Sequence, residues 1–221
     1  MDQDWNDGQP IYRQLQDRVV AMILDGSRLG RHIRFLVHPS LLKPPCLTPF
    51  MCRLGGVPAC GENADWVLGQ GEILAIFPEG IRGAFRLYDR KVYQLGKFGR
   101  DEFIRFALRH QVPIVPFVTL GSAEIYPIFG GIRWSWFRRK TEWPFLPITP
   151  TLGLVPLPSK WHTRFLERIE TGRFPPAAAG DPEVVRRLSL EVREKMQAAL
   201  DDLQQRRRHL FWGDLAPEVI A

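Results

Sequence analysis

The pattern of apolar and polar positions predicts a chain of alternating strands and helices. Apolar runs of strand length lie at residues 33–37, 73–77, 112–120 and 161–169. Apolar residues spaced by three and four, which is typical of helices, occur over residues 10–26, 62–68, 100–110 and from Asp181 onward. We expect Asn63 to cap the second of these helices and Asp181 to cap the last, which we predict to be a packing helix. The run at 73–77 has the length of a strand buried on both faces, and its separation from the run at 112–120 predicts a right-handed crossover between parallel strands. The predicted fold is α/β, with a mixed, mostly parallel sheet flanked by helices.

Composition and length place these elements in one folded domain. The chain has 221 residues, of which 45% are apolar and 24% charged, an ordinary balance for a globular protein. We predict an amino-terminal helical segment over residues 1–27, an α/β domain over residues 28–212 and a tail over residues 213–221. The net charge of +6 favours anionic partners such as phospholipid surfaces, phosphorylated substrates or nucleic acid.

The cysteines and the amino terminus bear on the compartment. Cys46, Cys52 and Cys60 are odd in number and match no zinc-binding spacing, so we expect buried or half-buried thiols in a reducing compartment and no metal site. The first ten residues are acidic and polar, unlike a signal peptide. No apolar segment reaches the roughly 18–20 residues that a membrane-spanning helix needs. The sequence therefore predicts a cytoplasmic protein that meets a membrane only from the side.

The candidate chemistry follows the run at 73–77. Pro78 lacks a backbone donor and ends the strand, and Glu79 and Arg82 come directly after it on a glycine-containing turn. Open α/β sheets bind ligands at the carboxyl ends of their strands. The guanidinium of Arg82 offers a planar fork of donors that suits a phosphate. This stretch is therefore the predicted binding site.

These residues also carry a family resemblance. Phe77-Pro78-Glu79-Gly80-Ile81-Arg82-Gly83 resembles the Phe-Pro-Glu-Gly-x-Arg motif of the glycerolipid (lysophospholipid) acyltransferases. Val112-Pro113-Ile114-Val115-Pro116 is similar to a later motif of that family, and Arg53–Ala59 is similar to a stretch of one bacterial branch. The resemblance covers residues 33–212. It implies a glycerolipid-acyltransferase-like fold and transfer of an acyl group from acyl-CoA or acyl carrier protein, as co-substrate, to a hydroxyl of a glycerolipid or lysophospholipid. It implies no other cofactor.

The resemblance also assigns substrate-binding residues. By the motif these are Phe77, Pro78, Glu79, Gly80 and Arg82. Lys97 and Gly99 match a basic residue and a glycine that line the family's glycerophosphate pocket. A solvated lysine on a surface loop explains Lys97 equally well.

The catalytic pair of the family, His-x4-Asp, is not found in this sequence. In that pair the histidine takes the proton of the acceptor hydroxyl, and the aspartate fixes the imidazole tautomer. His32 is followed five positions later by Val37, and His38 by Lys43. His38 is the remaining candidate base, although it precedes Pro39. We therefore expect impaired transfer, with a non-catalytic lipid-binding pseudoenzyme as the alternative. Loss of the histidine and an incorrect gene join near residues 27–32 both remain open.

A second informative stretch spans residues 126–159, where aromatic side chains alternate with a cluster of basic ones. Five prolines between Trp143 and Ser159 exclude a regular helix there. Aromatic rings beside lysine and arginine are typical of a membrane interface, and aromatic packing under a long loop is the competing interpretation. Base stacking is a third, but no nucleic-acid-binding fold accompanies it. The predicted partner is an anionic membrane surface, with the protein peripheral to the inner face of the cell membrane.

Residues 10–26 resemble the first helix of GntR-type bacterial transcription regulators. The stretch Pro10-Ile11-Tyr12-Arg13-Gln14-Leu15-Gln16 carries this likeness. DNA binding by that family needs a recognition helix, and the proline-rich residues 28–60 show no such pattern. A DNA-binding fragment is therefore a third hypothesis, and a packing helix is favoured over it.

Overall fold

A computed structural model describes residues 33–42, 47–99, 101–153 and 155–210. The chain forms two compact units that divide between Ile76 and Phe77, inside the predicted domain of residues 28–212. The predicted helix over residues 10–26, Cys46 and the tail over residues 213–221 lie outside the described residues. The GntR-type hypothesis and the domain bounds therefore stay predictions.

The amino-terminal unit contains a parallel sheet of three strands in the order β2-β1-β3. Its strands are β1 (Ile33–Val37), β2 (Gly56–Pro58) and β3 (Ile73–Ala75). Its helices are α1 (Leu47–Arg53), α2 (Gly61–Gly69) and the 3-10 helix Pro39–Leu42. In the register of β1, Phe35 lies opposite Gly56 on one side and Ala75 on the other. Adjacent parallel strands need long crossover connections, which are usually helical. The strand predicted at 33–37 is confirmed as β1.

Three expectations for this unit are corrected. The strand predicted over residues 73–77 ends at Ala75, and its residues are half-buried, because β3 lies at an edge of a three-stranded sheet. Cys52 and Cys60 are exposed rather than buried, since they lie in the last turn of α1 and just before the first residue of α2. Asn63 does not cap α2. Its side-chain nitrogen donates to the carbonyl of Pro58 at 2.9 Å.

The carboxyl-terminal unit has two antiparallel strand pairs and four α-helices within the described residues. Its strands are β4 (Phe117–Leu120), β5 (Gly130–Ile132), β6 (Leu146–Ile148) and β7 (His162–Phe165). Its helices are α3 (Ile81–Ala84), α4 (Glu102–His110), α5 (Ser135–Thr141), the 3-10 helix Pro176–Gly180 and α6 (Pro182–Arg206). With the parallel sheet of the other unit, these elements confirm the mixed α/β class.

The strand predicted over residues 112–120 differs in length and in pairing. Pro113 and Pro116 donate no backbone hydrogen bond, so only residues 117–120 form regular strand, and Ile114 keeps an isolated bridge to Ile169. Among the described residues β4 pairs with β7 in antiparallel orientation. The two strands of the predicted crossover fall in different units, so their pairing stays a prediction.

The core of this unit lies under α6. Asp181 caps the helix as predicted, since its Oδ1 accepts from the backbone nitrogen of Glu183 at 2.9 Å. The predicted apolar stripe of α6 faces inward. Its buried members are Val185, Leu188, Val192, Ala199, Leu200 and Leu203. The first half of the stripe packs on α4 and the second half on β4, which confirms the predicted packing role of this helix.

The end of α6 is held by a buried polar network. Arg207 Nη1 lies 2.6 Å from Glu124 Oε1, and both side chains are buried. The hydroxyl of Tyr93 donates to the other oxygen of Glu124 and accepts from the backbone nitrogen of Gly121 at 2.7 Å. Loss of solvent, followed by the bond to the Glu124 carboxylate, raises the pKa of Tyr93. The network thus fastens the helix end to the segment that follows β4.

Among the helices of the described residues, none combines the length and the apolar character that crossing a bilayer requires.

Tyr93 predicts a pH dependence of stability. Its pKa in the folded protein lies above its ordinary value of 10.0. The contribution of Tyr93 to the free energy of unfolding is therefore complete below pH 10.0 and is lost as the pH rises further. At that higher pH the unfolded chain releases a proton that the folded protein retains. Between about pH 9 and 11 we expect this loss to reach at most about 1.4 kcal/mol per pH unit.

Urea denaturation of the wild type and of Tyr93→Phe across this range measures the effect. The free energy of unfolding of Tyr93→Phe should fall less steeply with pH than that of the wild type. Some decline should remain, because Tyr88, whose pKa is also raised by burial, is present in both proteins. Equal slopes would contradict a protonated, buried Tyr93.

Candidate functional site

The motif loop, residues 77–83, runs into the single turn of α3. Gly80 adopts φ +58° and ψ −148°, a conformation that is essentially restricted to glycine. Its nitrogen donates to the carbonyl of Phe77 at 2.9 Å, and the nitrogen of Gly83 donates to the carbonyl of Gly80 at 3.1 Å. The glycine at the centre of the motif is therefore needed for the shape of the loop.

Glu79 ties the motif loop to a second segment, residues 95–99, called here the Lys97 segment. Its Oε1 accepts from the backbone nitrogen of Gly96 and lies 2.5 Å from Nη2 of Arg86. The carbonyl of Pro78 accepts from the nitrogen of Gly99 at 3.0 Å. Two consecutive motif residues thus hold the ends of the Lys97 segment.

Two glycines make room for the Glu79 side chain. A Cβ atom at Gly83 would stand 2.8 Å from both Cβ and Oε2 of Glu79. A Cβ atom at Gly96 would stand 3.0 Å from Oε1 of Glu79 and 3.2 Å from Nη2 of Arg86. Both separations are shorter than ordinary carbon contacts. The tie therefore depends on glycine at both positions.

Helix α6 supports the Lys97 segment from the other side. Arg193 donates from Nε to the carbonyl of Gly96 at 2.8 Å and from Nη2 to the carbonyl of Leu95 at 2.9 Å. Gln197 accepts from the nitrogen of Leu95 at 2.7 Å and donates to the carbonyl of Tyr93 at 3.2 Å. Sequence reasoning treated α6 as a packing helix and missed both residues. Their spacing of four, which places them on one face, was the available signal.

The predicted substrate-binding residues have different environments. Arg82, in α3, and Lys97, between the two tied glycines, are exposed. Phe77 is 60% exposed, and its ring meets the ring of Phe117 edge-on with centroids 6.1 Å apart. Pro78 and Glu79 are half-buried at the tie. The structure therefore brings the motif loop and the Lys97 segment together and leaves two cationic side chains facing solvent.

His38, the candidate base, lies in the amino-terminal unit just after β1. Its Nδ1 accepts from the backbone nitrogen of Ser40 at 3.2 Å and lies 2.8 Å from the Ser40 hydroxyl. A ring nitrogen that accepts a backbone N–H carries no proton, so the neutral ring holds its proton on Nε2. Ser40 therefore already engages the ring nitrogen of His38 that accepts a hydrogen bond.

Two surface grooves of the carboxyl-terminal unit lie apart from these residues. One, of about 450 Å³, lies over the Tyr93–Glu124–Arg207 network, and the other, of similar volume, runs along α6 at Arg186. Neither is lined by Glu79, Arg82 or Lys97. Within the described ranges, no three His, Cys, Asp or Glu side chains converge as a metal site would require.

The chain is similar to several mycobacterial proteins, and no family model matches it. It is 37% identical over 189 residues to an uncharacterised protein of Mycobacterium tuberculosis (strain ATCC 25618 / H37Rv), covering 83% of this chain and 52% of that protein. An uncharacterised protein of Mycobacterium leprae (strain TN) is 36% identical to it over 189 residues. That match covers 83% of this chain and 51% of the M. leprae protein. The chain therefore spans about half the length of the curated relatives it matches.

One solved structure is also similar. It is the crystal structure of the 1-acyl-sn-glycerophosphate (LPA) acyltransferase PlsC from Thermotoga maritima, with 20% identity and a TM-score of 0.48. The match covers 81% of this chain and 59% of that one. A likeness of this size supports no conclusion about activity.

The glycine contacts generate a stability prediction. We expect Gly83→Ala and Gly96→Ala each to lower the free energy of unfolding by about 1–3 kcal/mol, because the added methyl group displaces Glu79 from its tie. Gly172→Ala is the matched control, since nothing lies within 4 Å of a Cβ atom there. Urea denaturation measures all three. A loss in the control equal to that at Gly83 and Gly96 would show that the effect is not specific to Glu79.

Proposed function

We propose that this protein binds the phosphate headgroup of a glycerolipid or lysophospholipid and supports transfer of an acyl group, from acyl-CoA or acyl carrier protein, to a hydroxyl of that lipid. The observation that carries the proposal is the Glu79 tie. It fastens the motif loop to the Lys97 segment, so Arg82 and Lys97 belong to two pieces of backbone that are joined by hydrogen bonds. The motif resemblance supplies the substrate class.

The charges around the tie favour an anionic ligand. Glu79 has its ion pair with Arg86 rather than with Arg82. Arg82 and Lys97 are both exposed, one with a planar fork of donors and the other with a compact ammonium. A phosphate accepts from both kinds of group, and charge-assisted bonds to it are stronger than neutral ones. The arrangement therefore suits a phosphorylated glycerol better than a neutral alcohol.

The state of His38 favours the alternative without turnover. A general base must present an unprotonated nitrogen to the acceptor hydroxyl. In His38 the unprotonated nitrogen is Nδ1, and Ser40 already occupies it through both its backbone nitrogen and its hydroxyl. A non-catalytic lipid-binding protein is therefore the second candidate function.

The substrate class implies a place of action. Glycerolipids and lysophospholipids lie in membranes, and the net charge of +6 favours an anionic surface. The proposal accordingly places the protein at the inner face of the cell membrane, bound from the side.

Binding of the headgroup can be tested by substitution. We expect Arg82→Ala to weaken binding of a lysophosphatidate by about 1.5–3 kcal/mol, the size of a hydrogen bond to a charged group. Lys97→Ala should act in the same direction. Arg186→Ala, an exposed arginine on α6, is the control and should leave the dissociation constant unchanged. Calorimetric titration measures the three constants, and an unaltered constant for Arg82→Ala would remove this residue from the site.

Transfer is tested separately. With acyl-CoA and lysophosphatidate we expect thioester release well below roughly 1 per second, a rate at the low end for enzymes. His38→Gln should leave this slow release unchanged, because His38 is not positioned as a base. Thioester release at an ordinary enzymatic rate would contradict the expectation that acyl transfer is impaired. If His38→Gln then abolished it, His38 would be the base after all.

A further inference from the structure

Residues 130–148 form a small module with two different aromatic sides. It consists of β5, α5 and β6, with the two strands paired in antiparallel orientation. The inner rings pack together. The ring centroid of Trp143 lies 5.0 Å from that of Phe85 and 6.0 Å from that of Phe137, and the centroids of Phe145 and Phe85 are 5.5 Å apart. Gly131 allows this packing, since a Cβ atom there would stand 2.0 Å from the ring of Phe145. These rings hold the module onto the residue that follows α3.

The outer apolar side chains of the module are exposed. Trp134 and Trp136 are each 57% exposed, and Ile132 is 53% exposed. The two indole rings contact each other with centroids 5.4 Å apart. Leu146 and Ile148 of β6 are exposed as well. Ile132 lies opposite Leu146 in the strand pair, and none of these five side chains belongs to a core cluster of this unit. They are therefore exposed apolar area on one module, called here the outer surface.

Positive charge borders this apolar surface. The module carries four basic side chains, Arg133, Arg138, Arg139 and Lys140, against one carboxylate, Glu142. All four are exposed, and the ammonium of Lys140 lies 5.0 Å from the ring centre of Trp136. Indole rings beside arginine and lysine match the boundary between lipid headgroups and acyl chains.

We infer that this surface docks on an anionic phospholipid bilayer, with Ile132, Trp134 and Trp136 entering the interface and the basic side chains reaching lipid phosphates. The inference deepens the proposed function, since it rests on a substrate that lies in a membrane. Two other occupants fit less well. A single-stranded nucleic acid could stack bases on Trp134 and Trp136, but Ile132, Leu146 and Ile148 offer it no further ring. A second copy would bring two sets of the same four cations together.

Vesicle binding tests the inference. The probes are vesicles of mixed phosphatidylglycerol and phosphatidylcholine, and vesicles of phosphatidylcholine alone. We expect the wild type to bind the anionic vesicles, less so as salt is added, and the double variant Trp134→Ala/Trp136→Ala to lose about tenfold or more in partition. Trp66→Ala and Trp161→Ala are the controls, because these indoles are 54% and 51% exposed elsewhere. Equal losses in the controls would overturn the inference.

The charge contribution has its own matched pair. Arg138→Gln/Arg139→Gln should weaken binding to anionic vesicles and reduce its salt dependence. Arg186→Gln/Arg187→Gln removes two neighbouring exposed arginines from α6 and should change neither. A smaller oligomer for Trp134→Ala/Trp136→Ala on size-exclusion chromatography, with unchanged vesicle binding, would instead make the surface an interface between copies and refute the docking.

Binding of dispersed, short-chain lysophosphatidate separates this inference from the proposed function. The tryptophan double variant should bind that ligand as the wild type does while losing vesicles, which supports docking and headgroup binding independently. A wild type that binds the dispersed ligand but no anionic vesicle would overturn docking alone. Vesicle binding without lysophosphatidate binding would keep docking and remove the proposed headgroup site.

Discussion

The arrangement of the candidate site depends on one carboxylate. Glu79 accepts from Gly96 and pairs with Arg86, and these bonds fix the motif loop on the Lys97 segment. A half-buried carboxylate is retained in such a place only when its charge is compensated and its oxygens are bonded. Arg86 and the Gly96 nitrogen supply both conditions, and glycine at 83 and 96 leaves the space. Most of the motif therefore serves to position backbone, and Arg82 is left as its exposed, chemically available member.

Helix α6 completes the support. Its apolar stripe is held by the core on α4 and β4, so the helix itself is fixed. From that fixed helix Arg193 and Gln197 bond the backbone of residues 93–96, a stretch with no regular secondary structure to satisfy its own carbonyls and nitrogens. The Lys97 segment is thus held between the motif loop and a helix about a hundred residues further along the chain. Rigid placement of this kind lowers the ordering cost of binding a small anion.

Local signals in the sequence predicted what local physics decides. The Asp181 cap, the stripe of α6 and the strand at 33–37 each follow from spacing or capping within a few residues, and each is present. The partners of Glu79 were not predictable from the sequence. Gly96 and Arg86 both contact it from loops, and loops carry no periodic pattern. The pairing of β4 with β7 was missed for a related reason. The crossover rule assumes that successive strands share a sheet, and the choice of neighbour is made by long-range packing.

The packing interpretation of the aromatic stretch applies to some of its residues and not to others. Phe137, Trp143 and Phe145 are packing residues, whereas Trp134 and Trp136 are not, and composition alone does not separate them. The packing rings close on Phe85, which directly follows α3, while the next residue, Arg86, pairs with Glu79. The base of the module and the bonds that hold the motif loop are therefore adjacent along the backbone. Residues 85 and 86 thus connect the proposed docking surface to the proposed headgroup site, because Phe85 carries the packing rings and Arg86 pairs with Glu79.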